Sequence, residues 1–409
     1  MIYLTEKCKV YAVVKSVPLY HLLKPKGDTE MVRYTPPLGW NSWNTFGWDI
    51  NEELIMSTAD KMVEEGLLDA GYEYLVIDDC WAEDERDENG RLVPDRNKFP
   101  HGMKYIADYV HSKGLKFGMY SCDGYLTCAG FPASYQYEFI DAETFASWGV
   151  DFLKYDNCNR PATVPAKLLY HRMALALRNT GRDIMFSACN WGVEDVKEWI
   201  KETGSNMWRS TGDIVDSWES IKDIHYLQLD YQPYNGLGCF NDMDMLVVGM
   251  NGKGNVSMGG CTYSEYKTHF SLWCMLNSPL MLGCDIRNMS DETKKIVLNK
   301  DLIKINQDPA GCQPMLLQGF KNGNHDQVFI WAKQLENGDI AIGIFNLQDE
   351  QRLSYIGFDV LGLNRSCGVK LKFTDLWSHE EAVYKDGFKV LVPAHDCFVW
   401  RCKLLPMDV

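Results

Sequence analysis

From Pro36 to about Pro309 the chain repeats one theme. A short apolar run ends in polar or charged residues, and a stretch with apolar positions three to four apart follows. The runs are Leu38-Gly39-Trp40, Tyr74 to Ile77, Lys116 to Tyr120, Asp151 to Tyr155, Asp183 to Ser187, Asn206 to Arg209, Asp244-Met245-Leu246 and Ser278 to Leu282. The spacing predicts helices over 51–65, 103–113, 142–148, 164–178, 268–275 and 291–297. In the first, Leu54, Ile55, Ala59 and Met62 share a face and Gly66 is a stop. Eight strand–helix units over roughly 270 residues suit a (β/α)8 TIM barrel of about 250 residues. An open doubly wound sheet is disfavoured, because no Gly-rich phosphate loop follows the first strand. After Asp308-Pro309 the texture changes to short β-like runs at 328–331, 339–345, 369–373, 388–392 and 397–400. Turns such as Asn337-Gly338 and Asp386-Gly387 separate them. The expected fold is α/β: an N-terminal extension over 1–35, a catalytic barrel over 36–312 and an antiparallel β-sandwich over 313–409.

Charge narrows the function. Among 409 residues, 41 Lys+Arg stand against 56 Asp+Glu, so the net charge is 41 − 56 = −15. Nucleic acids and anionic membranes call for a positive field and are excluded as partners. The 46% hydrophobic content supports a large core. The 14 cysteines contain no C-x-x-C pair and read mostly as buried, reduced thiols. Glu6, Lys7, Lys9 and Lys15 interrupt every apolar stretch near the N-terminus, and no run approaches the ~20 residues of a membrane helix. The expected location is cytoplasmic, or secreted if an export signal has been trimmed.

The candidate chemistry sits at the strand ends, where barrel active sites are built. Asp78-Asp79, Lys154 with Asp156, Arg209 with Asp213, and Asp242 with Asp244 each follow an apolar run. One Asp after a strand is commonly a helix cap. Four acidic strand ends, two with a cation, are more than capping needs. Trp40, Trp43, Trp81, Trp191 and Trp208 add aromatic faces near the same ends. Carboxylates and cations bond hydroxyls, while indoles cover C–H surfaces, so the partner suggested is a small carbohydrate. Glycoside hydrolysis uses two carboxyl groups, about 5–5.5 Å apart in retaining enzymes. Asp156 is one candidate: Lys154, two residues earlier, shares its face and favours its ionised form. Asp213, in a loop over the site, is the other. No His-rich set accompanies the carboxylates, so neither a metal nor another cofactor is expected. A non-catalytic carbohydrate-binding protein would show a lost catalytic carboxylate, and neither is lost.

PPLGWNSWNTFG (36–47), YLVIDDCW (74–81), GMYSCDGYLTCAGFPAS (118–134), WGVDFLKYDNC (148–158), CNWG (189–192), WRSTGD (208–213), NDMDML (241–246) and INQDP (305–309) together resemble glycoside hydrolase family 27. The resemblance implies an exo-acting α-galactosidase that works by retaining double displacement, with Asp156 as nucleophile and Asp213 as acid/base. It implies that Asp78 and Asp79 bind O4 and O6 of galactose, Lys154 binds O3 and O4, and Arg209 binds around O2 and O3. Trp43 and Tyr120 would line the sugar's faces, and Asp242 and Asp244 would support the site. Cys128 and Cys158 stand where relatives carry a disulfide beside the pocket. Cys80 lacks the N-terminal partner that relatives often supply, since 36–60 contain no cysteine. The segment Cys189-Asn190-Trp191-Gly192-Val193 reads the sugar's 2-position, and bulky Asn190 and Val193 resemble the galactosidase form. α-N-Acetylgalactosaminidase and β-L-arabinopyranosidase are the alternatives within the family. A homo-oligomer is also what the resemblance suggests.

Overall fold

The computed structural model describes residues 35–319, 328–363 and 365–407. The N-terminal extension, Thr35 apart, lies outside them. Seven of the eight runs read from the sequence become strands of one eight-stranded parallel sheet: β1 (Leu38–Asn41), β2 (Tyr74–Val76), β3 (Lys116–Cys122), β4 (Phe152–Asp156), β5 (Met185–Cys189), β6 (Met207–Arg209), β7 (Phe240–Asp242) and β8 (Leu280–Leu282). Its order is β7-β6-β5-β4-β3-β2-β1-β8. Leu246 closes the ring: its amide donates to the Met281 carbonyl at 2.7 Å, and its carbonyl accepts from Gly283 at 3.0 Å. The seventh strand is therefore not the apolar run 244–246. Asp244 has a φ of 78°, which ends the extended backbone and leaves Phe240–Asp242 as the strand.

Outside the ring lie α1 (Glu52–Glu64), α2 (Gly102–Ser112), α3 (Glu138–Trp148), α4 (Ala166–Asn179), α5 (Trp218–Tyr231), α6 (Tyr263–Met275), α7 (Asp291–Val297) and α8 (Lys300–Asn306). The crossover after β5 carries only two 3₁₀ turns, Val196–Glu198 and Ile200–Glu202. Helix α1 shows the local logic. The Asn51 side chain caps the Leu54 amide, Glu52 and Glu53 occupy the electropositive first turn, and Leu54, Ile55, Ala59 and Met62 are buried.

The C-terminal region builds β9 (Met315–Gln318), β10 (Phe329–Gln334), β11 (Ile340–Phe345), β12 (Arg352–Gly357), β13 (Val369–Asp375), β14 (Glu381–Tyr384), β15 (Gly387–Val392) and β16 (Cys397–Pro406). Six form an antiparallel sheet in the order β14-β13-β16-β11-β10-β9, and β12 pairs with β15. Alternation along β16 divides its side chains. Cys397 and Val399 join the core shared with the barrel, whereas Trp400 and Cys402 join the sandwich's own core. Polar ties reinforce the contact: Lys267 pairs with Asp396 at 2.7 Å, and the Thr268 hydroxyl donates to the His395 carbonyl at 2.9 Å.

Candidate active site

The period of two explains how one strand serves both core and chemistry. Outward positions such as Leu75, Leu153, Tyr155, Phe186 and Trp208 belong to the layer beneath the helices. Inward positions Val76, Phe152, Met185, Met207 and Phe240 fill the barrel's lower interior. The floor is tight: a Cβ on Gly118 would stand 2.6 Å from Val76 Cγ2 and 3.2 Å from Phe152 Cβ. Two residues further along each strand the same face turns polar. Val76 is followed by Asp78, Phe152 by Lys154 and Asp156, Met207 by Arg209, and Phe240 by Asp242.

These upper positions open into a pocket with about 480 Å³ of empty space. It is lined by Trp43, Asn44, Asp78, Asp79, Tyr120, Cys128, Lys154, Asp156, Trp191, Arg209, Asp213, Asp244, Met245 and Val256. Of the residues singled out in the sequence, Asn190, Cys158 and Asp242 are not in that lining. Asn190 is buried and spends its amide on the Val193 carbonyl at 2.9 Å. Cys158 is bonded to Cys128, with 5.2 Å between their Cα atoms. Asp242 sits one level lower, in an interior hollow with Asn41, Lys154, Arg209 and Met281. Trp40, Trp81 and Trp208 are buried in the core, while Trp43 and Trp191 reach the pocket. Sequence reasoning missed Asn44, Met245 and Val256. The first two lie inside motifs it used, and Val256 is an apolar loop residue without a chemical signature.

Each polar group is held by named partners. Asp78 accepts from Lys154 Nζ at 2.8 Å and from Asn41 Nδ2 at 2.7 Å. Asp79 accepts the Cys80 amide at 2.7 Å and the Ala129 amide at 3.0 Å, so the disulfide loop contributes directly to its position. Asp156 accepts from the Tyr120 hydroxyl at 3.2 Å and from the Asn157 amide at 3.0 Å. Arg209 bridges Asp213 and Asp244, each at 2.9 Å. Cys80, Trp191 and Asp244 all have positive φ. Such backbone costs on the order of 1–3 kcal/mol per residue and gathers where side-chain aim matters.

Electrostatics set the two central carboxyls apart. Burial pushes Asp156 up to about 6 against the opposing pull of Lys154. Burial also acts on Asp213, but Arg209 and Lys154 outweigh it and hold that carboxyl below its ordinary value. The Asp213 side chain is 66% exposed, so solvent weakens this hold. Lys154 stays above its ordinary range, because Asp78 and Asp156 overcome the cost of burying it.

A (β/α)8 barrel whose strand ends converge carboxylates, cations and indole faces on one open pocket has the build of a glycoside hydrolase. Residues 35–308 match the family described as Alpha galactosidase A, and residues 325–402 match the Alpha galactosidase C-terminal beta sandwich domain. Alpha-galactosidase 3 of Arabidopsis thaliana is 44% identical over 368 residues, covering 90% of this chain and 81% of that protein. The alpha-galactosidase of Coffea arabica is 44% identical over 364 residues, covering 88% and 92%. The crystal structure of alpha-galactosidase I from Mortierella vinacea superposes with a TM-score of 0.82 at 32% identity, covering 92% of this chain and 99% of that one. The chain belongs to the α-galactosidase family of glycoside hydrolases.

Proposed function

We propose that the protein removes terminal α-linked galactose from oligosaccharides or glycoconjugates with retention of configuration. The observation that carries this reading is that one pocket holds both Asp156 and Asp213 together with Asp78, Asp79, Lys154 and Arg209. A Saccharomyces cerevisiae relative, 29% identical over 91% of this chain with a TM-score of 0.80, has been solved with raffinose. That substrate class is in keeping with a pocket that opens to solvent and is lined by polar and indole side chains. Asp78 and Asp79 take O4 and O6, Lys154 takes O3 and O4, Arg209 reaches O2 and O3, and Trp43 and Tyr120 cover the ring. Asp156, whose ionised form the charge of Lys154 favours, attacks the anomeric carbon while Asp213 gives its proton to the leaving oxygen. Water, deprotonated by Asp213, then cleaves the glycosyl ester.

Arg209, which holds the Asp213 carboxyl low, spends part of its guanidinium on it. A sugar hydroxyl that competes for Arg209 lets the Asp213 affinity for its proton rise, as an acid requires. Proton NMR of the first-formed sugar from an aryl α-galactoside tests the stereochemistry. The α anomer should appear first; initial β-galactose would refute double displacement. A panel of α-galactoside, α-N-acetylgalactosaminide and β-L-arabinopyranoside substrates tests the sugar. Galactoside should lead, with measurable side activity, because one group of bulk discriminates by only about 1–3 kcal/mol.

A further inference from the structure

Behind the strand that carries Asp156 stands a carboxyl that the proposed reaction leaves unused. Asp123 directly follows β3 and is wholly buried. Its amide donates to the main-chain carbonyl of Asp156 at 3.0 Å, so the two acidic residues ride on hydrogen-bonded neighbouring segments. Neither oxygen of its carboxyl accepts a hydrogen bond from any described residue. The groups acting on it or feeling its charge are Cys122 from β3, Tyr155 and Asp156 from β4, Arg160 from the following turn, and Tyr170 from α4. Arg160 is the one cation in this set. It is committed elsewhere, to an ion pair with Glu194 and to the Val164 carbonyl at 2.7 Å. Tyr155 brings a buried hydroxyl without a described partner, and Glu138 of α3 a carboxyl oxygen in the same position.

A carboxylate closed off from water, with no donor and no dedicated cation, is held more cheaply as the neutral acid. Burial pushes Asp123 up to about 8, with Arg160 opposing the rise and Asp156 adding to it. We propose that Asp123 is a positioning residue that acts as a neutral acid, keeping the β3–β4 strand ends intact and sparing the nucleophile a second negative charge behind it. Losing that proton at high pH forces a choice. The new charge must draw Arg160 away from Glu194 or pull the 122–128 loop toward water. Either movement reaches the Ala129 amide on Asp79 and the backbone that carries Asp156. The coupling is reciprocal. An ionised Asp156 helps retain the proton on Asp123, and esterification of Asp156, which rests on the retaining reading above, removes that help.

The test compares kcat/KM of the wild type and Asp123→Asn on an aryl α-galactoside from about pH 5 to about pH 9. The ratio of variant to wild type should rise about tenfold across that range, because the amide cannot ionise. Parallel profiles overturn the proposal, since a merely structural loss would scale activity equally at every pH. Should Asp123→Asn not fold, the side-chain carboxyl resonance of Asp123 in carbon-13-labelled wild type decides without substrate. A titration midpoint above about 7 supports the proposal, and a carboxylate already formed near pH 5 overturns it. Because that resonance involves no turnover, it stands or falls separately from the stereochemical reading.

Discussion

Asp156, the proposed nucleophile, carries a cost to the fold. Its carboxylate has Lys154 and the Asn157 amide to favour ionisation, yet burial keeps its pKa near 6, above the ordinary carboxylate value of 3.8. An ionised Asp156 is therefore a strained charge, which an isosteric amide relieves. Asp156→Asn should cut turnover of an aryl α-galactoside by about 10³-fold or more while raising Tm at pH 7. Turnover assays beside thermal melts check both halves, and a variant that keeps its activity would remove the nucleophile assignment. The place of Asp156 in the pocket beside Lys154 was legible in sequence, since the two-residue spacing and the strand-end position needed no coordinates. Asp123 was not. It stands in a motif used for recognition, but nothing in the string separates a buried unpaired Asp from an ordinary turn residue. The level of Asp242 was hidden for a related reason: its place below the pocket depends on where Asp244 breaks the strand.

Among elements, the long apolar-periodic segments were readable and the polar-faced ones were not. Helix α5 escaped because His225 and Gln228 occupy buried positions on its inner face, where the pattern calls for apolar residues. Helix α3 begins four residues before its expected start because its first turn buries Glu138 and Asp141, which pair with Arg172 and Arg86. Strand β12 reads backwards, with Leu353 and Tyr355 exposed and Ser354 buried. The element whose energetics are most open to test is the loop between β3 and its disulfide. Cys128 and Cys158 are 30 residues apart, and a closed loop of that length is worth about 2–4 kcal/mol. The same bridge anchors the segment whose Ala129 amide fixes Asp79. Replacing both cysteines with serine should lower Tm and raise KM for galactosides, with a smaller effect on kcat. An unchanged KM would show that the Ala129–Asp79 contact is held without the bridge.

At the scale of the whole molecule, one apolar cluster runs from the barrel into the sandwich. Phe329, Trp331, Ala341 and Phe345 of the sandwich pack in the same cluster as the barrel's outer layer, so the chemistry and the fold share a single stability. Several carboxyls of that assembly sit above their unfolded value of 3.8, and burial is the first cause in each: Asp156 near 6, Asp242 near 7 and Asp123 near 8. A folded pKa raised above the unfolded one means that the native state binds the proton more tightly. Its stabilisation is complete below about pH 4 and is lost as pH climbs through 6, 7 and 8 in turn. Asp60 and Asp285 work in the opposite sense. Burial raises them, but Lys113 and Arg287 pull them below 3.8, so their contribution disappears only in stronger acid. The net charge of −15 adds self-repulsion as the remaining carboxyls and thiols ionise. Buried His225 and His269, pushed down to about 3, and buried Lys333, pushed down to about 7, act the other way, because the unfolded chain binds their protons more tightly. Between about pH 4 and about pH 8 the loss from the three acids is therefore partly offset by the gain from these groups. Calorimetric Tm values across that range check the slope, and Asp242→Asn and Asp123→Asn should each flatten it near its own titration point. Variants whose Tm follows pH just as the wild type does would mean that these two carboxyls do not hold their protons above the unfolded value.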